Sequence, residues 1–345
     1  MSRRLPAEWE KQEFVQLTWP NADTDWAPIL TEAIECYTNL AHAIVQYEKL
    51  VIVARNANEV RPHIADIDPK IVTIIEAPIN DTWARDHAFI SVSNNNKLTL
   101  LDFQFNGWGL KFASNYDNLI NRKLFAAHKQ LSTNAVYENH LSTVLEGGSI
   151  ESDGQGTILT TSECLLSPNR NGAQLRPEIT QILQNAFGAE RILWVDHGYL
   201  AGDDTDSHID TLARLAPNDT ILYVKCTDTA DEHYQQLMLM EHDLQQLRTK
   251  HSKPYKLVAL PMCTPQFEPT DGHRLPATYA NFLFINGAIL VPTYNAPTDE
   301  VALSIFRHTF PDRNIVGIDC SVLIRQHGSL HCVTMQYPSI ENNKR

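Results

Sequence analysis

Residues 282–319, FLFINGAILVPTYNAPTDEVALSIFRHTFPDRNIVGID, hold in one run the alternation that decides the fold. An apolar stretch at 282–292 is interrupted only by Asn286 and Gly287, a helical pattern covers Thr298 to His308, and a β-branched run follows at 315–319. Short apolar, β-branched runs with polar or Pro/Gly borders are the pattern of buried strands. The same vocabulary recurs on the N-terminal side: LVIVAR (50–55), IVTIIEAP (71–78), AFISVS (88–93), LTLLDFQF (98–105), TILTT (157–161), RILWV (191–195), ILYVKC (221–226) and KLVALP (256–261). Between these runs lie helical patterns at Trp26 to Tyr47, Leu175 to Phe187 and Thr229 to Lys250. Strands and helices that alternate along a whole chain make an α/β protein. No sequence repeat survives a direct comparison of segments, which leaves room for a structural repeat whose sequence has diverged.

The chain has 345 residues, 43% hydrophobic and 20% charged, enough to bury a large core. No Ser/Gly-rich, Pro-rich or charge-block linker divides it, so one domain over 1–345 is expected. A formal charge of −13 opposes binding to nucleic acid, which rests on Lys and Arg neutralising phosphates, and it favours small cations. The N-terminal MSRRLPAEWEKQEF has no apolar stretch behind it and reads as neither secretory signal nor anchor, so a cytoplasmic protein is expected. The most apolar run, Phe282 to Pro292, is far shorter than the roughly 20 residues a membrane span needs. Six cysteines, at 36, 164, 226, 263, 320 and 332, form no CxxC pair, which argues against a disulfide framework or a zinc knuckle.

Four segments are hard to explain as core or surface alone. In NDTWARDHAF (80–89), Trp83, Arg85 and Asp86 crowd the approach to a strand. In LEGGSIESDGQGT (145–157), Glu146 precedes a Gly147–Gly148 pair that lets the backbone turn or something approach closely. In GDDTDSHIDTLAR (202–214), His208 and Asp210 are two residues apart, within a run of carboxylates that could also be a metal loop. In HGSLHCVTMQ (327–336), Gly328 precedes a strand-like stretch with His331 and Cys332. A thiol, a histidine and several carboxylates on separate segments suit one reaction. A guanidinium is planar and cationic, so two carboxylates can clamp it in plane, leaving its carbon to face a thiolate. A histidine can then protonate departing ammonia and deprotonate incoming water.

In this order the segments LPAEWEKQEFVQLTWP, TWARD, LEGGSI, HIDTLAR, NFLFINGAILVP with FPDRNIVGI, and LHCVTMQ resemble the agmatine deiminase family, which also includes the bacterial type of peptidylarginine deiminase. The resemblance covers nearly the whole chain. It implies a pentein, a five-fold pseudosymmetric α/β propeller of ββαβ units around a central site. It also implies that Cys332 is the nucleophile forming an amidino-cysteine, that His208 is the general acid and base, and that Glu146 orients His208. Asp86 and Asp210 resemble the guanidinium clamp, with Trp83 beside them. The implied activity converts agmatine to N-carbamoylputrescine and ammonia with no cofactor and no metal. The implied partner is a small cationic guanidine, with no nucleic acid or membrane, and a homo-oligomer is left open. The chain departs from the family at RDHAF, where RDxGP is common, and at QHGSLHC, where GGGNIHC is common.

Other readings stay open at this point: arginine or peptidylarginine as substrate, a silent pentein that only binds, or a metal-dependent hydrolase built on 203–210. A chelator separates the last from a thiol mechanism. For the substrate tail, Trp9, Glu10, Trp83 and Trp108 are candidates by neighbourhood, since an ammonium wants a carboxylate or an aromatic face.

Overall fold

The structure, a computed structural model, describes residues 3–127 and 135–340. Its unit is plainest where the sequence is plainest. Strands Leu283–Ile285 and Ala288–Thr293 form a hairpin across Asn286–Gly287, with Gly287 at φ +74°, a conformation that costs glycine little. The helix Asp299–Thr309 then crosses over to strand Asn314–Asp319, which runs parallel to the second hairpin strand. Hairpin, helix and parallel return make one ββαβ unit.

Among the described residues the unit occurs five times. In chain order the strands are β1 (Gln12–Thr18), β2 (Lys49–Ala54), β3 (Val72–Glu76), β4 (Ile90–Asn94), β5 (Lys97–Gln104), β6 (Val136–Val144), β7 (Ile150–Ser152), β8 (Thr157–Thr161) and β9 (Arg191–Val195). They continue as β10 (Ala213–Ala216), β11 (Thr220–Lys225), β12 (Lys256–Pro261), β13 (Leu283–Ile285), β14 (Ala288–Thr293), β15 (Asn314–Asp319) and β16 (Thr334–Pro338). The crossover helices are α1 (Leu30–Val45), α2 (Asp117–Ala126), α3 (Arg176–Phe187), α4 (Tyr234–Gln246) and α5 (Asp299–Thr309). Four blades are β4-β5-β6, β7-β8-β9, β10-β11-β12 and β13-β14-β15, each antiparallel and then parallel. The fifth, β16-β1-β2-β3, joins the two ends of the chain: β16 lies antiparallel to β1, Phe14 opposite Tyr337. This is the pentein arrangement.

Burial tells which way each blade faces. First strands such as β10 and β13 are buried along their length and middle strands are nearly so, whereas the last strands β6, β9, β12 and β15 are half-exposed. First strands therefore line the centre. Sequence patterning located the apolar middle strands β5, β8, β11 and β14 and the helices α1, α3, α4 and α5 within a few residues. It passed over β1 (QEFVQLT) and the four-residue β10 (ARLA), and also α2 (DNLINRKLFA) and β6 (VYENHLSTV), whose polar composition reflects a helix of weak amphipathicity and an outer edge strand. No helix among the described residues is long and apolar enough to cross a membrane.

Candidate active site

Each first strand is preceded by a short turn, and the five turns meet at the centre. Ala84–His87 leads into β4, Gly147–Ser149 into β7, Ile209–Leu212 into β10, residues 278–281 into β13 and residues 329–333 into β16. Together they deliver Asp86, Glu146 with Gly148, His208 with Asp210, Asn281, and His331 with Cys332. Backbone bonds tie the turns to one another: Arg85 N–H donates to the Cys332 carbonyl at 3.0 Å and His331 N–H to the Asn281 carbonyl at 3.1 Å. All six residues expected at the site, Cys332, His208, Glu146, Asp86, Asp210 and Trp83, are buried here.

Gly148 shows how closely the groups approach. A Cβ built on it would lie 2.6 Å from His208 Nδ1, 2.9 Å from Asp86 Oδ1 and 3.0 Å from Asp210 Oδ2. Only a hydrogen fits among the three. Asp86 is fixed by Trp108 Nε1–H, which donates to Oδ2 at 2.9 Å, and by Gly148 N–H, which donates to Oδ1 at 3.1 Å. Asp210 Oδ2 shares a hydrogen bond with His331 Nδ1 at 2.7 Å while its Oδ1 has no partner, and both ring nitrogens of His208 are likewise without one. Buried polar atoms normally have partners, so three unpartnered atoms on one turn, with His208 Nδ1 3.7 Å from Asp86 Oδ1, mark a place prepared for a ligand.

Cys332 Sγ lies 3.3 Å from Asn281 Oδ1, which also accepts from the backbone N–H groups of His331 and Cys332. Burial, then the carboxylates Asp210 and Asp86, push the Cys332 thiol well above its ordinary range. Burial also raises Asp86 to about 7, and it raises Asp210 well above the usual carboxylate value with Asp86 adding to the effect. Burial, then the cations Arg170 and Lys111, hold His208 neutral. The site thus holds a thiol, a neutral imidazole and two carboxyl groups that burial and their mutual repulsion hold up.

Glu146 is placed differently from a simple orienter. Arg170 Nε donates to its two oxygens at 2.9 and 3.0 Å, and Arg170 Nη1 reaches Asp206 Oδ2 at 2.6 Å. A Glu146 oxygen, Cys164 Sγ and a His208 nitrogen all lie within 4.8 Å of one another, yet no hydrogen bond joins Glu146 to His208. The carboxylates of 203–210 do not converge on one point. Asp203 binds its own loop at Thr205 and Ser207, Asp206 pairs with Arg170 and Lys111, and Asp210 faces His331.

Above Cys332 a cavity opens, lined by Trp83, Asp86, Trp108 and Phe112, by Asp25, Asp81 and Asp204, and by Thr205, Gln326, His327 and Gly328. None of these is Lys or Arg, and the nearby Lys111 is turned to Asp206 at 2.7 Å. Asp81 is raised to about 7 and Asp204 to about 6, burial being the main cause for both. Trp108 enters the cavity on a stretch with positive φ at Gly107, Trp108, Gly109 and Leu110 (67°, 53°, 87° and 70°). Asn106 Oδ1 holds that stretch by accepting from Gly109 N–H at 2.9 Å. Consecutive left-handed residues, two of them not glycine, are held only where the surroundings enforce them.

Of the four tail candidates, Trp83 and Trp108 line this cavity and the other two do not. Trp9 packs edge-on against Phe284, with ring centres 5.9 Å apart, and Glu10 pairs with Arg4 at a separate cleft. Sequence reasoning named His331 beside Cys332 and a close approach at Gly147–Gly148, but gave neither its partners and passed over Asn281, Arg170 and Glu8. The NFL and LHC segments were in view, but their side-chain partners lie on other blades.

A family model described as Porphyromonas-type peptidyl-arginine deiminase matches residues 4–338. A Legionella pneumophila (strain Paris) protein with the provisional name agmatine deiminase is 34% identical over 97% of this chain and 95% of its own. A crystal structure from Porphyromonas gingivalis, provisionally an arginine deiminase, is 48% identical with a TM-score of 0.91, covering 98% of this chain and 99% of that one. A cysteine-to-serine variant of C. jejuni agmatine deiminase with substrate bound is 36% identical with a TM-score of 0.89, covering 98% and 96%.

Proposed function

The chain belongs to the Porphyromonas-type peptidyl-arginine deiminase family, and from that premise we propose that it hydrolyses agmatine to N-carbamoylputrescine and ammonia through an amidino-cysteine on Cys332. The guanidinium lies against Asp210 Oδ1, the carboxylate oxygen without a partner, and against Asp86. Its positive charge offsets the two carboxylates that hold the Cys332 thiol up, so the substrate itself eases thiolate formation. Cys332 passes its proton to neutral His208 as sulfur bonds to the guanidinium carbon. The imidazolium then protonates the departing nitrogen, the C–N bond breaks and ammonia leaves an S-amidino adduct. Water adds to that carbon, giving its proton to His208; the C–S bond breaks and the thiol is restored as the ureido product departs. Glu146 supports the imidazolium by charge, from within 4.8 Å and while held by Arg170.

The observation that carries the choice of agmatine is the rim. Asp25, Asp81 and Asp204 face the cavity together with Trp83, Trp108 and Phe112, and no Lys or Arg lines it. An ammonium tail finds carboxylates and aromatic faces there, whereas the α-carboxylate of free arginine meets like charge. One feature favours a longer guanidine, peptidyl-arginine included: a second groove, with Asn21, Asp23, Arg55 and Tyr116, shares Asp25, Asp81 and Phe112 with the cavity. Chelator-treated enzyme incubated with agmatine, arginine and a blocked arginine peptide, with ureido product and ammonia measured, separates these. Preference for agmatine supports the reading; preference for arginine or peptide replaces the substrate, and loss of activity with the chelator overturns the thiol mechanism.

A further inference from the structure

Below the site lies a buried histidine that the mechanism does not use. His331 Nδ1 is 2.7 Å from Asp210 Oδ2 and its Nε2 is 2.7 Å from Glu8 Oε2, with the ring 1% exposed. Glu8 is in turn surrounded by donors: Arg214 Nη2 lies 3.0 Å from Oε1, Arg85 Nη2 3.7 Å from Oε2, and Phe284 N–H donates to Oε1 at 2.8 Å. Arg214 also pairs with Glu151, and on its own turn His331 has Cys332 as neighbour. The charged and titratable groups facing this ring are therefore Glu8, Asp210, Arg85, Arg214, Glu151, His208 and Cys332.

An imidazole between two carboxyl oxygens at 2.7 Å needs one bridging proton in each contact. With Glu8 kept ionised by its two arginines, the proton of the Glu8 contact belongs to Nε2. The second proton has two homes that differ only by its position in one hydrogen bond: on Asp210 Oδ2, leaving both groups neutral, or on Nδ1, giving imidazolium and carboxylate. We propose that His331 is a positioning residue that takes up this proton when a guanidinium binds, so that Asp210 becomes a carboxylate without releasing a proton to water. In the empty site the proton rests on Asp210, because burial, Arg214 and Arg85 hold His331 down while burial and Asp86 hold Asp210 up. A cation at Asp210 Oδ1 reverses that order, and Glu8 stabilises the imidazolium from its other side.

This rests on reading Asp210 as a guanidinium ligand. The test measures kcat and KM for agmatine against pH in the wild type, His331→Asn and Glu8→Gln, with calorimetric counting of protons released when agmatine binds to Cys332→Ala and to its double variants. His331→Asn keeps an amide donor for Asp210 but cannot take a proton. In that variant Asp210 must lose its proton to solvent, so KM should rise about ten-fold more per pH unit on the acid side than in the wild type, with up to one extra proton released on binding. Glu8→Gln, which removes the charge that stabilises the imidazolium, should shift both readouts in the same direction. Profiles and proton counts that superpose on the wild type, or an equal loss of kcat at every pH, would overturn the inference while leaving the deiminase reading intact. Wild-type enzyme that neither binds nor turns over any guanidine would remove the reading beneath it.

Discussion

The floor of the cavity and its rim are built by different rules. The floor is dry: His208, Asp210 and Glu146 have no solvent exposure, they come from the turns that precede two of the innermost strands, and Gly148 leaves no room for a side chain beside His208, Asp86 and Asp210. The rim is wetter and comes from loops. Asp25 is exposed, Asp81 and Asp204 are half-buried, and Trp108 depends on a left-handed stretch held by Asn106. Glu146 on the floor is paired with Arg170, but the Asp86 and Asp210 carboxyls are left for the substrate's cation, so they can serve chemistry. A charge on the rim is partly screened by water, so it can only grade one tail against another. Floor variants should therefore change turnover for every guanidine, and rim variants should change the ranking of guanidines.

The largest effect should come from Cys332→Ala or His208→Ala, each lowering kcat on the order of 10⁴-fold on any guanidine with the circular dichroism spectrum unchanged. Cys226→Ala should retain most activity, because that thiol packs in another blade beside Asp228. Next, Gly148→Ala should cost about 10²-fold or more in kcat/KM, since its Cβ would press on His208, Asp86 and Asp210 at once. A fully active Gly148→Ala would break the idea that these groups share one tight point. Smaller again is Asp204→Asn, expected to raise KM for agmatine about ten-fold while sparing a blocked arginine peptide. Equal loss on both substrates would erase the distinction between floor and rim.

The mildest effect is of pH. Asp86 and Asp81 are raised to about 7 and Asp204 to about 6, so these carboxyls are protonated below those values and attract a cation only above them. KM for agmatine should accordingly fall as pH rises from 6 to 8, read from initial rates at each pH. A KM that rises over that interval would contradict the assignment of these carboxyls to the cation.

How much of this was legible in the sequence follows from what each residue is asked to do. Buried middle strands such as β5 and β11 announce themselves as apolar, β-branched runs, and Cys332, His208 and Asp86 stand out as reactive types in an ordered set of segments. The edge strand β6 does not, because half of it faces water and it reads as VYENHLSTV. Five-fold symmetry left no repeat to see because the blades share a backbone pattern and not side chains. Asn281, His331 and Glu8 act only through partners brought together by closing the propeller: Glu8 and His331 are 323 positions apart and touch because β16 returns to β1. Nothing local in PAEWE or LHC signals that contact. Glu146 was found by resemblance, but its pairing with Arg170, 24 residues on, was not.

The central claim is that the five turns exist to bring a buried thiol to a guanidinium carbon. Acid-quenching the enzyme during agmatine turnover, digesting it and weighing the peptide that contains Cys332 tests this directly. The account predicts an S-amidino adduct on that peptide, formed and lost within the time of turnover and absent with Cys332→Ser. An unmodified Cys332 peptide throughout, with turnover persisting in Cys332→Ala, would contradict it.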